Sequence, residues 1–162
     1  MQKKQNEMAA LKLVGLTVRT NNENEMNPKY AKIGELAERY WGEGLPNQLQ
    51  NRVNPGKTFA VYTEYDSDER GDYTYFIGEE VSSFDGAPSG FIQLNVPAQK
   101  YQQFTTEPGA IPEVIINAWR QIWMMGEKEL GGKRAYQADL EVIDVKDLHP
   151  EKAVFDIYIG IK

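Results

Sequence analysis

Glu141 sits inside a run that otherwise reads as a buried strand, Ala138-Asp139-Leu140-Glu141-Val142-Ile143. On the wet face of an antiparallel strand such a carboxylate is ordinary. Turned into an aromatic cleft, it is costly unless a positive charge meets it. The sequence puts no obvious Lys, Arg or His beside it, so a cationic ligand would supply the missing charge. Rings to accompany such a ligand are at hand. Trp119 and Trp123 lie one turn apart on a helical stretch and share a face. Tyr73 and Tyr75 alternate with Thr74 and Phe76 along a strand, so both point the same way. Each aromatic face attracts a cation by about 0.5–2 kcal/mol. Stripes of this kind also build ordinary cores, because large apolar side chains are usually buried. A second chemistry is open to the same set: Glu141 as general base on water, with Tyr75 or Tyr73 as the acid, opening a strained electrophile.

Other motifs fail on inspection. Asp66, Asp68 and Gly71 imitate the start of a calcium loop, but Arg70 and Ile77 stand where oxygen ligands are needed. The Gly126–Lys133 stretch resembles a phosphate loop by eye, yet its spacing is off by one and no Ser or Thr follows the Lys. His149 is the one histidine and stands beside Pro150 in a loop. There are no cysteines, which excludes disulfides and thiolate catalysis. The chain has a net charge of -6. That opposes binding to nucleic-acid phosphates and docking on anionic membranes. No apolar stretch reaches the roughly 18 residues needed to span a bilayer. The expectation is a cytoplasmic protein with no cofactor and no metal.

The elements that must carry these residues form a repeated unit. Residues 58–79, TFAVYTEYDSDERGDYTYFIGE, match 136–162, YQADLEVIDVKDLHPEKAVFDIYIGIK. Each is strand, acidic turn, strand, and each closes on an aromatic, Ile and Gly: Phe76-Ile77-Gly78 and Tyr158-Ile159-Gly160. Aligning Asp66 with Asp144 sets Thr63 against Glu141 and Tyr62 against Leu140. A strand (11–20) and a helix opened by Asn27-Pro28 precede the first hairpin. A strand pair kinked at Pro97 and a helix opened by Pro112 precede the second. Gly131-Gly132 ends that helix. The expected fold is therefore α+β: two strand–helix–strand–strand units forming one curved antiparallel sheet, two main helices, and a cleft at the pseudo-twofold interface. Residues 1–10 read as a mobile tail and 11–162 as a single domain, with repeats at about 11–81 and 90–162. At 162 residues the chain is long enough for one well-packed core.

The order of these features resembles the GyrI-like, AraC-type effector-binding domain family over residues 11–162. The similarity rests on the duplication, the Pro-opened helix bearing Trp119, Leu140-Glu141 in mid-strand and the ending Asp156-Ile157-Tyr158-Ile159-Gly160-Ile161-Lys162. The YTYFIGEEV and VFDIYIGIK strands resemble stand-alone members, including those on integron gene cassettes. The resemblance implies a pocket for hydrophobic, often cationic, compounds. Glu141 would be the cation contact, with Trp119, Trp123, Tyr73 and Tyr75 as lining. It also implies transcription regulation in relatives fused to a helix-turn-helix module, for which the residues before the first strand leave no room. A stand-alone sensor or sequestering protein is the leading expectation. The alternatives are a small hydrolase using Glu141 and a Tyr, and a module acting on a regulator or gyrase in trans. A homodimer, the commonest assembly, is compatible with either.

Overall fold

The computed structural model describes residues 1–162. Eight strands form one antiparallel sheet: β1 (Gln2–Met8), β2 (Leu11–Thr20), β3 (Lys57–Thr63), β4 (Tyr73–Glu80), β5 (Ile92–Val96), β6 (Gln99–Thr105), β7 (Ala138–Asp144) and β8 (Asp156–Ile161). Their spatial order is β1-β6-β8-β7-β3-β4-β2-β5. Two main helices, α2 (Ile33–Gly42) and α3 (Glu113–Trp123), accompany one-turn helices α1 (Asn22–Glu25) and α4 (Glu127–Leu130). No helix is long and apolar enough to cross a membrane.

The order is that of two repeats joined edge to edge. β2-β4-β3 on one side mirrors β6-β8-β7 on the other, and the halves meet where β3 pairs with β7. The shared aromatic-Ile-Gly ending has a steric cause. A Cβ on Gly78 would stand 2.2 Å from the Val14 carbonyl oxygen, and one on Gly160 would stand 2.7 Å from that of Ala138. Neighbouring strands pass too close there for any side chain.

The outer strands are exchanged. β1, which precedes β2, pairs with β6 of the other repeat, and β5, which precedes β6, pairs with β2. Residues 2–8, expected as a mobile tail, are thus a strand in full register from Gln2–Thr105 to Met8–Gln99. The run QKKQNEM has no alternating apolar pattern because β1 packs only Met8, partly buried, against the core; backbone pairing at the sheet edge holds the rest.

The exchange forces curvature. Only Ala9 and Ala10 join β1 to β2, so the Cα atoms of Met8 and Leu11 are at most about 11 Å apart. In a flat sheet β1 and β2 would be six strand spacings apart, about 29 Å. The sheet must therefore curl. One face closes on itself, packing Leu11, Leu13, Val96 and Tyr101 with Phe59, Val61, Phe76 and Leu140. The other face carries the helices: α2 sits on Leu16, Tyr73, Tyr75 and Ile77, and α3 sits on Phe104, Ile157 and Ile159.

Both main helices are shorter than the sequence pattern predicts. The turn begun by Asn27-Pro28 stops, and α2 starts afresh at Ile33. The Glu25 carboxylate accepts from the backbone N–H groups of Lys32 and Ile33, satisfying donors that the helix start leaves free. α3 ends at Trp123, and the stretch to Gly131 holds the separate turn α4, closed by Gly131 at φ +76°.

Candidate ligand site

The pleat decides which side chains reach the helix-bearing face. Val61, Phe76, Leu140 and Tyr158 pack within the curl, so their neighbours Tyr62, Tyr75, Asp139, Glu141 and Ile157 project to the opposite side. At the β3–β7 junction Tyr62 lies opposite Asp139 and Ala60 opposite Glu141. This also fixes the true match between the repeats. Tyr62 pairs with Tyr75 as Glu141 pairs with Ile157, so Tyr62, not Thr63, is the counterpart of Glu141. Thirteen positions separate Tyr62 from Tyr75 and sixteen separate Glu141 from Ile157. The Asp66–Asp144 alignment is therefore one residue out of register.

Glu141 is buried on the helix-bearing face, at 6% exposure. It does not lack protein partners, contrary to expectation. Its Oε1 accepts from the Tyr62 hydroxyl at 2.7 Å and from Trp119 Nε1 at 2.7 Å. Both donors are neutral, and no ion pair reaches this carboxylate. Burial raises its pKa above the ordinary glutamate value, against the opposing pull of the two hydrogen bonds. Burial, and then the nearby Glu141 charge, holds the Tyr62 hydroxyl firmly protonated. Tyr62 is therefore fixed as a donor.

Rings surround the carboxylate. Tyr62 lies 5.1 Å from Trp119, 5.3 Å from Tyr75 and 5.4 Å from Tyr73, centroid to centroid. Tyr73 continues to Tyr65 at 5.8 Å, and Tyr65 to Tyr136 at 5.6 Å. At the other end Trp123 lies 6.5 Å from Trp119 and is 41% exposed. The structure thus gathers Glu141, Trp119, Tyr73 and Tyr75 closely, with Trp123 at the rim. The hydroxyl on the carboxylate belongs to Tyr62; that of Tyr73 donates to Asn22 Oδ1 at 2.9 Å, and Tyr75 contributes its ring.

Tyr62, Tyr65 and Asp139 are the site residues that sequence reasoning missed. Asp139 is fully buried two residues from Glu141 on the same face. It accepts from Arg134 at 2.6 Å, from the Tyr65 hydroxyl at 2.5 Å and from the Gly160 amide at 2.9 Å. A correct hairpin register would have found Tyr62; nothing local pairs Asp139 with Arg134 across a non-helical turn. The site is closed over by its own rings. An open cavity of about 270 Å³ lies elsewhere, against the first turns of α3 between Glu107, Glu113, Val114 and Asn117. No group of three or more His, Asp or Glu comes together to hold a metal.

The chain is similar to known proteins over almost its whole length. A family model described as integron-associated effector binding protein matches residues 6–161. YobU of Bacillus subtilis (strain 168) is 28% identical over 151 residues, 93% of this chain and 92% of YobU. An integron cassette protein from the mobile metagenome of Vibrio cholerae superposes with a TM-score of 0.78 at 28% identity, over 99% of this chain and 95% of that one. SAV2435, solved bound to tetraphenylphosphonium, shares the fold with a TM-score of 0.77 at 18% identity, covering 100% of this chain and 94% of its own.

Proposed function

This chain belongs to the integron-associated effector-binding proteins, and on that premise we propose that it binds lipophilic cations at the β3–β7 junction, with Glu141 as the charge contact. The observation that carries this reading is the contrast between two buried carboxylates on one strand face. Asp139 has a guanidinium on it; Glu141 has only the neutral donors of Tyr62 and Trp119. A buried anion without a counterion favours any cation that can reach it, and the surrounding rings add cation–π attraction. The tetraphenylphosphonium complex of SAV2435 supports the ligand class.

Because the rings close over Glu141, a ligand enters by moving them. Tyr62 is the side chain to move: its ring touches Trp119, Tyr73 and Tyr75, and its hydroxyl lies on the carboxylate. The cation then replaces a neutral hydrogen bond with an ion pair in a site of low dielectric. Binding of this kind suits a sensor or a sequestering protein. The test is a fluorescence and calorimetric titration with tetraphenylphosphonium and with neutral triphenylphosphine oxide. Micromolar binding of the cation and at least tenfold weaker binding of the oxide are expected; equal affinities would remove the charge-selective reading. The hydrolytic alternative has a Glu–Tyr contact to draw on, with Tyr62 in the role expected of Tyr75. Turnover of a strained electrophile by the wild type and not by Glu141→Gln would favour it.

A further inference from the structure

The same sheet face already holds one cation of its own. The guanidinium of Arg134 is ion-paired to Asp139 at 2.6 Å, only 10% exposed, and stacked 4.4 Å from the centroid of Tyr136. Tyr136 packs on Tyr65, which donates its hydroxyl to the same Asp139 oxygen that Arg134 contacts. A planar delocalised cation, an aromatic face and a buried carboxylate are together here. That is the chemistry proposed for the ligand at Glu141, met by a protein side chain. The two arrangements are continuous, because the ring chain Tyr136–Tyr65–Tyr73–Tyr62 links them. Asp139 and Glu141 are two strand residues apart on one face, a Cα separation of about 7 Å.

We propose that Arg134 sets the number of positive charges the site accepts: by neutralising Asp139 it leaves one carboxylate without a counter-charge, Glu141, and so selects monocations over dications. This rests on the reading of Glu141 as the cation contact. A second positive group spaced to reach Asp139 meets Arg134 instead, and like charges in a desolvated site repel strongly. With Arg134 gone, Asp139 and the face of Tyr136 become a second cation subsite. A rigid dication whose charges match the spacing of the two carboxylates would then span them.

Methyl viologen has that spacing, and N-methyl-4-phenylpyridinium is its singly charged near-isostere. Both are titrated calorimetrically against the wild type, Arg134→Ala, Asp139→Asn and the double variant Arg134→Ala/Asp139→Asn, with circular dichroism as the fold check. The wild type should prefer the monocation. In Arg134→Ala the ratio of viologen to monocation affinity should rise at least tenfold, and in the double variant it should return to the wild-type value. A pair with a merely structural role would lower both affinities together and leave the ratio unchanged in the folded variant, which overturns the proposal. Asp139→Asn is the arm that survives a failure of Arg134→Ala to fold. It leaves the guanidinium uncompensated, so monocation affinity should fall at least tenfold while neutral 4-phenylpyridine, titrated at pH 8, is unaffected; an unchanged monocation affinity overturns the proposal. If the wild type binds the monocation and these ratios do not move, only the role of Arg134 falls. If the wild type binds neither cation, the reading of Glu141 falls and this one with it.

Discussion

Tyr62 and Glu141 occupy equivalent positions in the two repeats, and the hydroxyl of one donates to the carboxylate of the other at 2.7 Å. The pseudo-twofold axis therefore passes beside a contact that is chemically unsymmetrical. Duplication supplied two matching positions on one sheet face; a phenol at one and a carboxylate at the other turned the junction into a polar pair inside an aromatic shell. Tyr62→Phe keeps the ring and removes the donor. A hydrogen bond to a charged acceptor is worth about 1.5–3 kcal/mol, so urea denaturation should show a loss of up to that size. Cation affinity should rise several-fold, because the ring no longer has a tether on the carboxylate to break. A fall in affinity would mean that Tyr62 contacts the ligand directly and is not what holds the site closed.

Glu141→Gln should fold, since the amide oxygen can still accept from Tyr62 and Trp119. Its cation affinity should drop tenfold or more, as a charge-assisted contact contributes roughly 1.5–3 kcal/mol. Neutral aromatic ligands should lose little. Calorimetric titration of both proteins with a cationic and a neutral ligand checks this.

The raised pKa of Glu141 has a definite sign in a pH series. Between the ordinary carboxyl value and its own folded value, native Glu141 holds a proton that the unfolded chain has released. Stability from this group is therefore present at low pH and lost as pH rises through that window. Thermal melts of wild type and Glu141→Gln should converge below the window and separate above it, with the Gln variant the more stable. Cation binding within the window should release protons, seen as a dependence of calorimetric enthalpy on the ionisation enthalpy of the buffer. Equal heats in two buffers would place the titrating group elsewhere.

The two tryptophans of α3 should behave differently. Trp119 is buried against Ile157, Ile159 and Tyr62 and donates to Glu141, so Trp119→Ala should cost about 3–5 kcal/mol in chemical denaturation. Trp123, 41% exposed at the rim, should cost less than about 1 kcal/mol when truncated. In the Trp119→Phe protein, quenching of fluorescence by a bound dye should be weakened. Undiminished quenching there would move the ligand away from Trp119.

Deleting residues 1–8 tests the edge strand. β1 covers one side of β6 through backbone pairs and adds Lys3 Nζ and Gln5 Nε2 as donors to the carbonyls of Glu129 and Gly131. The shortened chain should lose hydrogen-exchange protection at the β6 amides that face β1, and should associate through that edge. Unchanged protection would mean that β1 contributes nothing to the sheet.

Much of this architecture was legible because the repeats share a steric need. The glycines at 78 and 160 mark places where strands pass too closely for a Cβ, and the aromatic-Ile pairs before them alternate between the two sheet faces. Glu141 stood out because a mid-strand charge breaks an apolar run. Tyr62 carries no such mark, since tyrosine is common in strands and the acidic residues of the two turns match one residue out of the strand register. β1 was invisible because a polar edge strand has no apolar period to detect. The Arg134–Asp139 pair was hidden for another reason. Of the four residues between them only Ala138 belongs to a strand, and Tyr136 takes φ +51°, so no spacing rule brings the two side chains together.

The exchanged outer strands also say how such a chain can have arisen and in what order it closes. β1 leaves the ribosome before β2, but its partner β6 follows about a hundred residues later, with Gln2 opposite Thr105. Until then the nascent first half carries an unmatched arm and the bare edge of β3. Two copies of that half would satisfy each other: β3 against β3 at the centre, and each arm on the other copy's β2. The result is the eight-strand order of the whole protein. A fragment spanning residues 1–88 is expected to be dimeric by light scattering. The present chain has the strand order of such a dimer on one polypeptide, and only with the halves joined can the two matching central positions hold different side chains, a tyrosine and a glutamate.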